Sequence, residues 1–579
     1  MSREFRRLVV VWLILFVVSI GLGSRIYYLQ IVAGDQLQAK AKNQQKSTLK
    51  PYIPRRTIID REGNVLATDR VVYELYAHPR LFKKDSKTIA KELAQILEDY
   101  SQSELLNQFK KRGTGIRIKD HLTKELASDI RKIRSDGLEL IKKYDRYYPY
   151  EGLVANVVGY VQEDQHQGKA GVEFTQQAKL TRQAENLLPV KQTARGDILP
   201  VYLPKNTITF DEKQLQLTID VKLQRIAHKA LEKQIKEFNA KRGTVIVMDV
   251  HSGELLSLVN EPTYNPNQYY KYDLHLMKNW AVTNRYEPGS TFKPINVAIA
   301  LDAGLITPDT EIQDPGKIKV GGWTIRNHDY YSEGGHGKID IAKILQVSSN
   351  VGMIKIMKRM SPQNYYHKLQ ELGIEKPVGI DLMGETPGYI KPEFQFTNYE
   401  IEPATAAFGQ GFSLTPIKLA QLHGALANGG QLVTPHVVKG LVSQNGELVN
   451  SKNDSQKQVF SPETAKKVVE MMQTVVSQGS GKSAQIPGYR LAGKTGTAQK
   501  AGQRGYYTNE KITSFVSIFP VNNPRYVVLA VVDEPKKPLA FGSTVAAPIV
   551  KEVIQGLISV EQIPPSHPAE LKNQETDES

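Results

Sequence analysis

The stretch Tyr286-Glu287-Pro288-Gly289-Ser290-Thr291-Phe292-Lys293-Pro294 decides how this chain of 579 residues is read. Pro288 and Gly289 interrupt whatever precedes them, and apolar residues recur at helical spacing over 291–301, so a helix is predicted to open at Ser290. Ser290 and Lys293 then share one helix face, which offers the hydroxyl a local amine as proton acceptor. Ser290 also falls at the positive end of that helix, where free N–H groups can stabilise an oxyanion. The spacing alone is unspecific: Ser47 and Lys50 repeat it in a polar stretch read as solvated surface.

Two further motifs lie downstream. Ser348-Ser349-Asn350 falls at the junction of helices predicted over 339–346 and 351–360, where a hydroxyl and an amide can point into a cleft. Its spacing recurs at Ser443 and Asn445, and at Ser451 and Asn453, in loops that read as turns. Lys494-Thr495-Gly496-Thr497 occurs once, on a strand predicted over 490–499. Alternation puts Thr495 and Thr497 on one side of it, and Gly496 is expected to let a ligand backbone come close. Around these motifs the pattern predicts a strand at 215–218, a helix capped by Asp220 and running to 239, and a hairpin of 243–249 with 254–260. Helices follow at 416–427 and 462–476, strands at 513–520 and 525–533, and a closing helix at 545–557. The region is therefore a sheet assembled from both its ends, with a helical insert between them. Gly481-Lys482-Ser483 resembles part of a phosphate-binding loop, but Val476 stands where glycine is needed, so it reads as a plain loop.

Composition narrows the chemistry. The chain has no cysteine, which excludes disulfides, thiolate metal sites and cysteine nucleophiles, and it has no His-x-x-x-His pair. The net charge of +15 is spread along the chain without a nucleic-acid-binding signature, so no nucleic-acid partner is expected. Residues 8–24 carry no charge and follow Arg3, Arg6 and Arg7. A spanning helix needs roughly 17 to 25 residues, and the apolar face continues through Ile26, Leu29 and Ile31. An uncleaved anchor with a cytoplasmic N-terminus is therefore favoured over a signal peptide cut near Gly21 or Gly23. The rest of the chain then lies outside the cytoplasm.

Residues 35–206 read as an elongated α+β module without active-site chemistry. A hairpin is predicted at 57–60 and 65–66, a strand at 71–77, and serine-capped helices at 86–97 and 103–111; most acids and bases are assigned to a solvated face. The stretch 192–206 is the expected boundary, and the Pro-rich, acidic end is expected to be disordered.

A helix-opening Ser-x-x-Lys, a Ser-x-Asn at a helix junction and a Lys-Thr-Gly on a late strand form the set associated with penicillin-binding proteins and related β-lactamases. With them stand Arg25-Ile26-Tyr27-Tyr28-Leu29-Gln30 after the anchor, Pro54-Arg55, Asp60-Arg61-Glu62-Gly63, Arg146-Tyr147-Tyr148-Pro149, Gly171-Val172-Glu173 and Phe408-Gly409-Gln410-Gly411. On these motifs the sequence resembles class B penicillin-binding proteins over nearly its full length. Ser348-Ser349-Asn350-Val351-Gly352 and the strand pair near Pro520 and Pro535 resemble the division-specific, FtsI-type branch. Arg56, Asn156 and Ser543 depart from the family pattern, away from the three motifs.

The resemblance implies an α/β (α+β) fold in five parts: a cytoplasmic N-terminus (1–7), a transmembrane anchor (8–28), a pedestal or dimerisation-type domain (35–206), a penicillin-binding transpeptidase domain with a central antiparallel sheet flanked by helices (207–560), and a disordered tail (561–579). It also implies a peptidoglycan D,D-transpeptidase of the septal wall, acylated on Ser290 by a stem ending in D-Ala-D-Ala and blocked covalently by β-lactams. Lys293 is the expected base. Holding an ordinary lysine neutral at pH 7 costs about 4 to 5 kcal/mol, and burial together with a second ammonium at Lys494 would lower that cost. By the same resemblance Ser348 passes a proton to the leaving amine, and Asn350 fixes the donor amide. Lys494, Thr495, Gly496 and Thr497 hold the terminal carboxylate, and the N–H groups of Ser290 and Thr497 form the oxyanion hole. No cofactor or metal is called for. Stem peptides, β-lactams, the bilayer, an FtsW-type glycosyltransferase and other divisome proteins are the implied partners. An elongation-type transpeptidase, a carboxypeptidase and a non-catalytic β-lactam sensor are the alternatives.

Overall fold

Apolar residues fill both faces of the strands at the centre of the molecule, so this sheet must be covered on both sides. A computed structural model describes residues 3–49, 53–111, 113–162, 166–182, 188–191, 211–449, 456–502 and 505–567. The strands β1 (Arg242–Asp249), β2 (Leu255–Glu261), β3 (Ala492–Gly502), β4 (Gly505–Phe519) and β5 (Tyr526–Asp533) form one sheet in the order β2-β1-β5-β4-β3. Every neighbouring pair is antiparallel. Alternation sends Val245, Val247, Val528 and Ala530 to one core and Ile246, Met248, Leu529 and Val531 to the other.

The first core is closed by α1 (Val221–Phe238) and, from near the end of the chain, α7 (Ala547–Glu561), through Leu223, Leu231, Val550 and Leu557. Asp220 caps α1 by accepting from Lys222 N and Leu223 N, as its position predicts. The second core is closed by the helical insert: α2 (Lys293–Asp302), α3 (Ile341–Gln346), α4 (Asn350–Met357), α5 (Pro416–Ala427) and α6 (Pro462–Ser477). Each of the larger aliphatic side chains buried there contributes roughly 1.5–3 kcal/mol. The strand predicted at 513–520 is longer than expected, beginning at Gly505, because it pairs along its length with β3 in a projecting hairpin.

Two compact units are distinguished: residues 1–54 with 182–211, and residues 55–181 with 212–579. In the first, the uncharged run lies in a helix, Arg3–Tyr27, continued by a π-helical turn at Tyr28–Val32. Residues 7–32 are long and apolar enough to cross a bilayer, and no protein packs on them among the described residues. Gly542–Glu561 is also long and apolar, but half of it is buried, as befits a core helix. Lys46–Leu49, the polar stretch read as surface, is a strand paired with Leu188–Lys191.

In the second unit, Ile58–Ile59 pairs with Val65–Ala77 as the predicted hairpin, the latter a single strand of 13 residues. Ile58–Ile59 also pairs in parallel with Gln214–Leu217, which pairs in turn with Val438–Val442, so one sheet joins strands from widely separated parts of the chain. The helix Ser86–Ile96 is capped by Asp85 and not by Ser86. Gln102–Lys111 is capped by Ser101, whose hydroxyl accepts from Glu104 N while Glu104 accepts from Ser101 N.

The pedestal charges correct the solvated-face reading most sharply. Arg55 and Arg146 both bind the fully buried Glu173, at 2.7 and 2.6 Å, and Arg146 also binds Asp69 at 2.9 Å. Arg146 further donates to Arg56 O, and Arg55 N donates to Asp69. Three motifs far apart in sequence thus meet in one buried ion network. The end of the chain also differs from expectation: Ile563 O accepts from Tyr489, and His567 N donates to Gly488 O. Residues 568–579, and the boundary expected at 192–206, lie outside the described residues.

Candidate active site

The helix predicted to open at Ser290 begins instead with a 3-10 turn, Gly289–Phe292, and α2 starts at Lys293. The reason is Pro294, which has no N–H to close an α-helical bond onto Ser290 O; Lys293 N takes that carbonyl at the tighter 3-10 spacing. Gly289 has φ +57, and its N–H bonds Gly409 O at 2.9 Å. A side chain at Gly409 would run into Gly289 O, so the Phe408–Gly411 loop and the serine turn close on one another only as glycines. Ser290 is half-buried, and among the described residues its hydroxyl has no hydrogen-bond partner.

Lys293 shares the Ser290 face but turns its amine elsewhere. Nζ donates to Ser348 O at 2.5 Å, Ser348 Oγ at 3.2 Å and Asn350 Oδ1 at 2.8 Å. Lys494 reaches the same hydroxyl from the opposite wall, with Nζ 2.9 Å from Ser348 Oγ and 3.0 Å from Thr495 O. The three motifs therefore converge on Ser348 Oγ, and both lysines are fully buried. Neither makes an ion pair among the described residues.

Burial, and next the charge of Lys494, hold the Lys293 amine well below the ordinary lysine range. Asp329 and Asp314 pull it the other way. Burial pushes Lys494 down to about 7. His328 nearby is also lowered, chiefly by burial. An amine so depressed can accept a proton near neutral pH, which is what a serine nucleophile requires.

The β3 strand places the third motif. Thr495 Oγ1 lies 2.9 Å from Ser480 Oγ, and Thr497 Oγ1 accepts from Gly542 N at 3.0 Å. Thr495 is buried and Thr497 exposed, so the two hydroxyls differ in environment despite their alternation. Gly496 does not open space for a ligand as expected. A Cβ there would meet Ser514 Oγ at 2.5 Å, Thr291 Cγ2 at 2.9 Å and Pro288 O at 3.2 Å. Its bareness instead lets β3 press against the Ser290 turn, bringing the nucleophile's loop and the Lys-Thr-Gly strand to one wall.

Sequence reading missed the support beneath Ser348. That residue has φ +57, a left-handed conformation that side chains resist. The loop is held in it by two buried groups on the preceding segment. Asp314 Oδ2 accepts from Ser349 Oγ at 2.6 Å and from Asn327 Nδ2 at 2.8 Å. Asn327 Oδ1 accepts from the N–H groups of Asn350 and Val351. Ser349 in turn caps α4 by accepting from Gly352 N. Asp314-Pro315-Gly316 carries only a turn signal, and nothing in it announces a partner 35 residues away. Glu287 was also passed over: it accepts from Gly411 N and from Tyr506 on the β3–β4 hairpin, and burial raises its carboxyl. Lys482–Ala484 is a short 3-10 turn, in keeping with the plain-loop reading of 481–483.

A half-buried serine on a helix-leading turn, a depressed lysine three residues on, and a second lysine bridged to it through a hydroxyl make up an arrangement suited to a serine acyltransferase. The comparisons with known proteins agree. Residues 243–555 match the penicillin binding protein transpeptidase domain, and residues 51–187 match the penicillin-binding protein dimerisation domain. A peptidoglycan D,D-transpeptidase FtsI homolog of Mesostigma viride is 42% identical over 584 residues, covering 97% of each chain. Stage V sporulation protein D of Bacillus subtilis is 31% identical, covering 95% of this chain and 85% of its own. Among solved structures, penicillin binding protein 3 of Mycobacterium tuberculosis complexed with aztreonam superposes with a TM-score of 0.66 at 25% identity, over 89% of this chain and 97% of its own. The chain belongs to the penicillin-binding protein transpeptidase family, as a class B protein of the FtsI type: a serine D,D-transpeptidase of peptidoglycan and a target of β-lactams.

Proposed function

We propose that Ser290 is the residue acylated by the donor stem, with loss of its terminal D-alanine, and that an amine of a neighbouring stem resolves the ester into a septal cross-link. The observation that carries this assignment is the convergence of Lys293 and Lys494 on Ser348 Oγ, within the cleft that the Ser290 turn and β3 form together. Lys293, its amine held well below the ordinary lysine range by burial and by Lys494, takes the Ser290 proton as the hydroxyl attacks the donor carbonyl. The proton then moves from Lys293 to Ser348, along the hydrogen bond between them, and from Ser348 to the leaving amine. Asn350, tied to Lys293 through Oδ1 and to Arg326 O through Nδ2, fixes the donor amide. Lys494, Thr495 and Thr497 take the donor carboxylate, and Gly496 keeps β3 close enough to the serine for that contact. The N–H groups of Ser290 and Thr497 receive the oxyanion, at about 3 to 4 kcal/mol per donor.

The apolar helix of residues 7–32 supports a single-pass anchor, with Arg3, Arg6 and Arg7 on the cytoplasmic side and the catalytic domain on the external, periplasmic side. The domain division of the sequence reading is kept: a pedestal over 35–206 and a transpeptidase domain over 207–560, with the anchor and pedestal meeting an FtsW-type glycosyltransferase and other divisome proteins. The test is acylation of the purified full chain by a labelled penicillin, with mass spectrometry of the adduct, followed by an assay for cross-linked stem dimer. Adduct on the peptide that contains Ser290, together with dimer product, is the expected result. Adduct elsewhere removes the assignment; adduct with only trimmed stems makes the protein a carboxypeptidase.

A further inference from the structure

A cavity of about 780 Å³ opens in the second unit between the 156–171 segment, the Glu261 end of β2, residues 274–284 and the 382–386 turn. None of Ser290, Lys293, Ser348 or Lys494 lines it, so it is not a part of the acylation cleft.

Its chemistry is mixed in a specific way. Trp280, Met277, Leu382 and Met383 give it an apolar lining, and Leu274 at its mouth is 74% exposed. Over Trp280 stands Arg242, its Cζ 4.9 Å from the ring and its Nε held by Asp533 at 2.9 Å. This fixes the guanidinium while leaving its two terminal nitrogens without a partner among the described residues. Lys278, exposed at the same cavity, also has no ion-pair partner among them. The carboxylate of Glu261 also lines the cavity, its Oε2 3.2 Å from His228 Nε2 but without a hydrogen bond among the described residues.

A third observation asks for a ligand directly. Asn260 is 5% exposed; its Nδ2 donates to Asn279 Oδ1, and Asn279 donates to Asn156 O, which fixes the amide. Asn260 Oδ1, buried at the cavity wall, has no hydrogen-bond donor among the described residues. A buried acceptor left open costs about 1–3 kcal/mol, and an N–H entering the cavity would satisfy it.

We propose that this cavity is a docking site for an extended segment of a partner protein that carries a bulky apolar side chain flanked by carboxylates. The apolar side chain enters against Met277 and Met383, whose flexible side chains adapt to it. The flanking carboxylates meet Arg242 and Lys278, and a backbone N–H bonds Asn260 Oδ1. A stem ending in alanines has no side chain large enough for the apolar lining, which sets this site apart from substrate binding. The proposal goes beyond the acyl-transfer reading and does not rest on it.

The test uses the full chain in detergent and a fluorescein-labelled peptide Glu-Asp-Phe-Asp-Glu, read by fluorescence anisotropy. Saturable binding is expected, weakened about tenfold or more, a loss of 1.4 kcal/mol per tenfold, by Lys278→Glu, by Met383→Asp and by replacing the peptide's phenylalanine with alanine. Acylation by labelled penicillin should keep its wild-type rate in both variants; Leu274→Asp, at an exposed position, replaces Met383→Asp if that variant loses acylation. Absence of saturable binding, or binding unmoved by the substitutions, overturns the proposal. So does equal competition by a stem-free disaccharide fragment of the glycan, which would make the cavity a saccharide site.

Discussion

Charged groups are buried in two places in this molecule, and they are handled in opposite ways. In the pedestal, Arg55, Arg146, Asp69 and Glu173 are buried with their counter-charges in direct contact. Burial works against the Arg146 charge, but Glu173 and Asp69 more than offset it, so the guanidinium is held firmly charged. In the cleft, Lys293 and Lys494 are buried with hydroxyl, carbonyl and amide oxygens but no carboxylate in contact. There the charge is not offset, and both amines are pushed toward neutrality. The same cost of desolvation holds a charge in place where it is compensated and depresses an amine's pKa where it is not.

The largest expected effect tests the cleft by its nucleophile. Ser290→Ala should lower penicillin acylation about 10⁴-fold or more while leaving the melting temperature within a degree or two of wild type (roughly 0.5 kcal/mol), since the hydroxyl has no hydrogen-bond partner among the described residues to lose. Surviving acylation would move the nucleophile elsewhere. The pedestal is broken by Arg146→Leu, which removes one of the two guanidinium groups on Glu173 and the ion pair to Asp69 and should cost about 3–5 kcal/mol in denaturant unfolding. A loss below about 1 kcal/mol, the level of an exposed pair, would show that the network does not hold these charges as described.

Between these stands Asp314→Asn, which keeps the size of the group beneath Ser348 but removes its charge. Acylation should fall about 10- to 100-fold, with the acidic limb of the pH profile displaced downward, because Asp314 raises the Lys293 pKa. An unmoved limb would reduce Asp314 to a packing role.

The pH profile itself sharpens the contrast. On the proposed mechanism, acylation efficiency should fall on acidification as Lys293 gains a proton, and fall again above about 7 as Lys494 loses the charge proposed to receive the donor carboxylate. The two amines share Ser348 and titrate as a coupled pair, with Asp314, Asp329 and His328 facing them. The smallest effect is on stability. The Lys494 pKa is lower in the folded chain than its ordinary 10.5, so the unfolded chain binds more protons between about 7 and 10.5, and stability from this group rises with pH across that window. Lys494→Met should flatten the rise of melting temperature over that range; an unchanged slope would place the depressed amine elsewhere.

Local signals carried much of the fold into view. The Asp220 cap, the helix at Pro416–Ala427 and the alternation in β1 and β5 depend on near neighbours in sequence, and the structure has them where the pattern puts them. In the candidate site, Ser290, Lys293, Ser348, Asn350 and Lys494 were legible because each sits in a short motif. What supports them was not, because Asp314 and Asn327 act across long sequence separations and carry no pattern of their own. The pedestal network was hidden for the same reason: Arg55 and Glu173 are separated by 118 residues, and each alone looks like one more solvated charge. The role of Gly496 was misread because a bare strand position shows that something comes close without saying what.

The left-handed backbone at Ser348 has a consequence for engineering this protein. Glycine would sit more comfortably there, since it adopts φ near +57 without the steric penalty other residues meet, so any campaign that selects for heat resistance alone is drawn to Ser348→Gly. That change would erase the one oxygen both lysines share, setting two lost buried hydrogen bonds against the relief of the backbone and leaving no path between the amines. Thermal selection and catalytic selection should therefore diverge at this position.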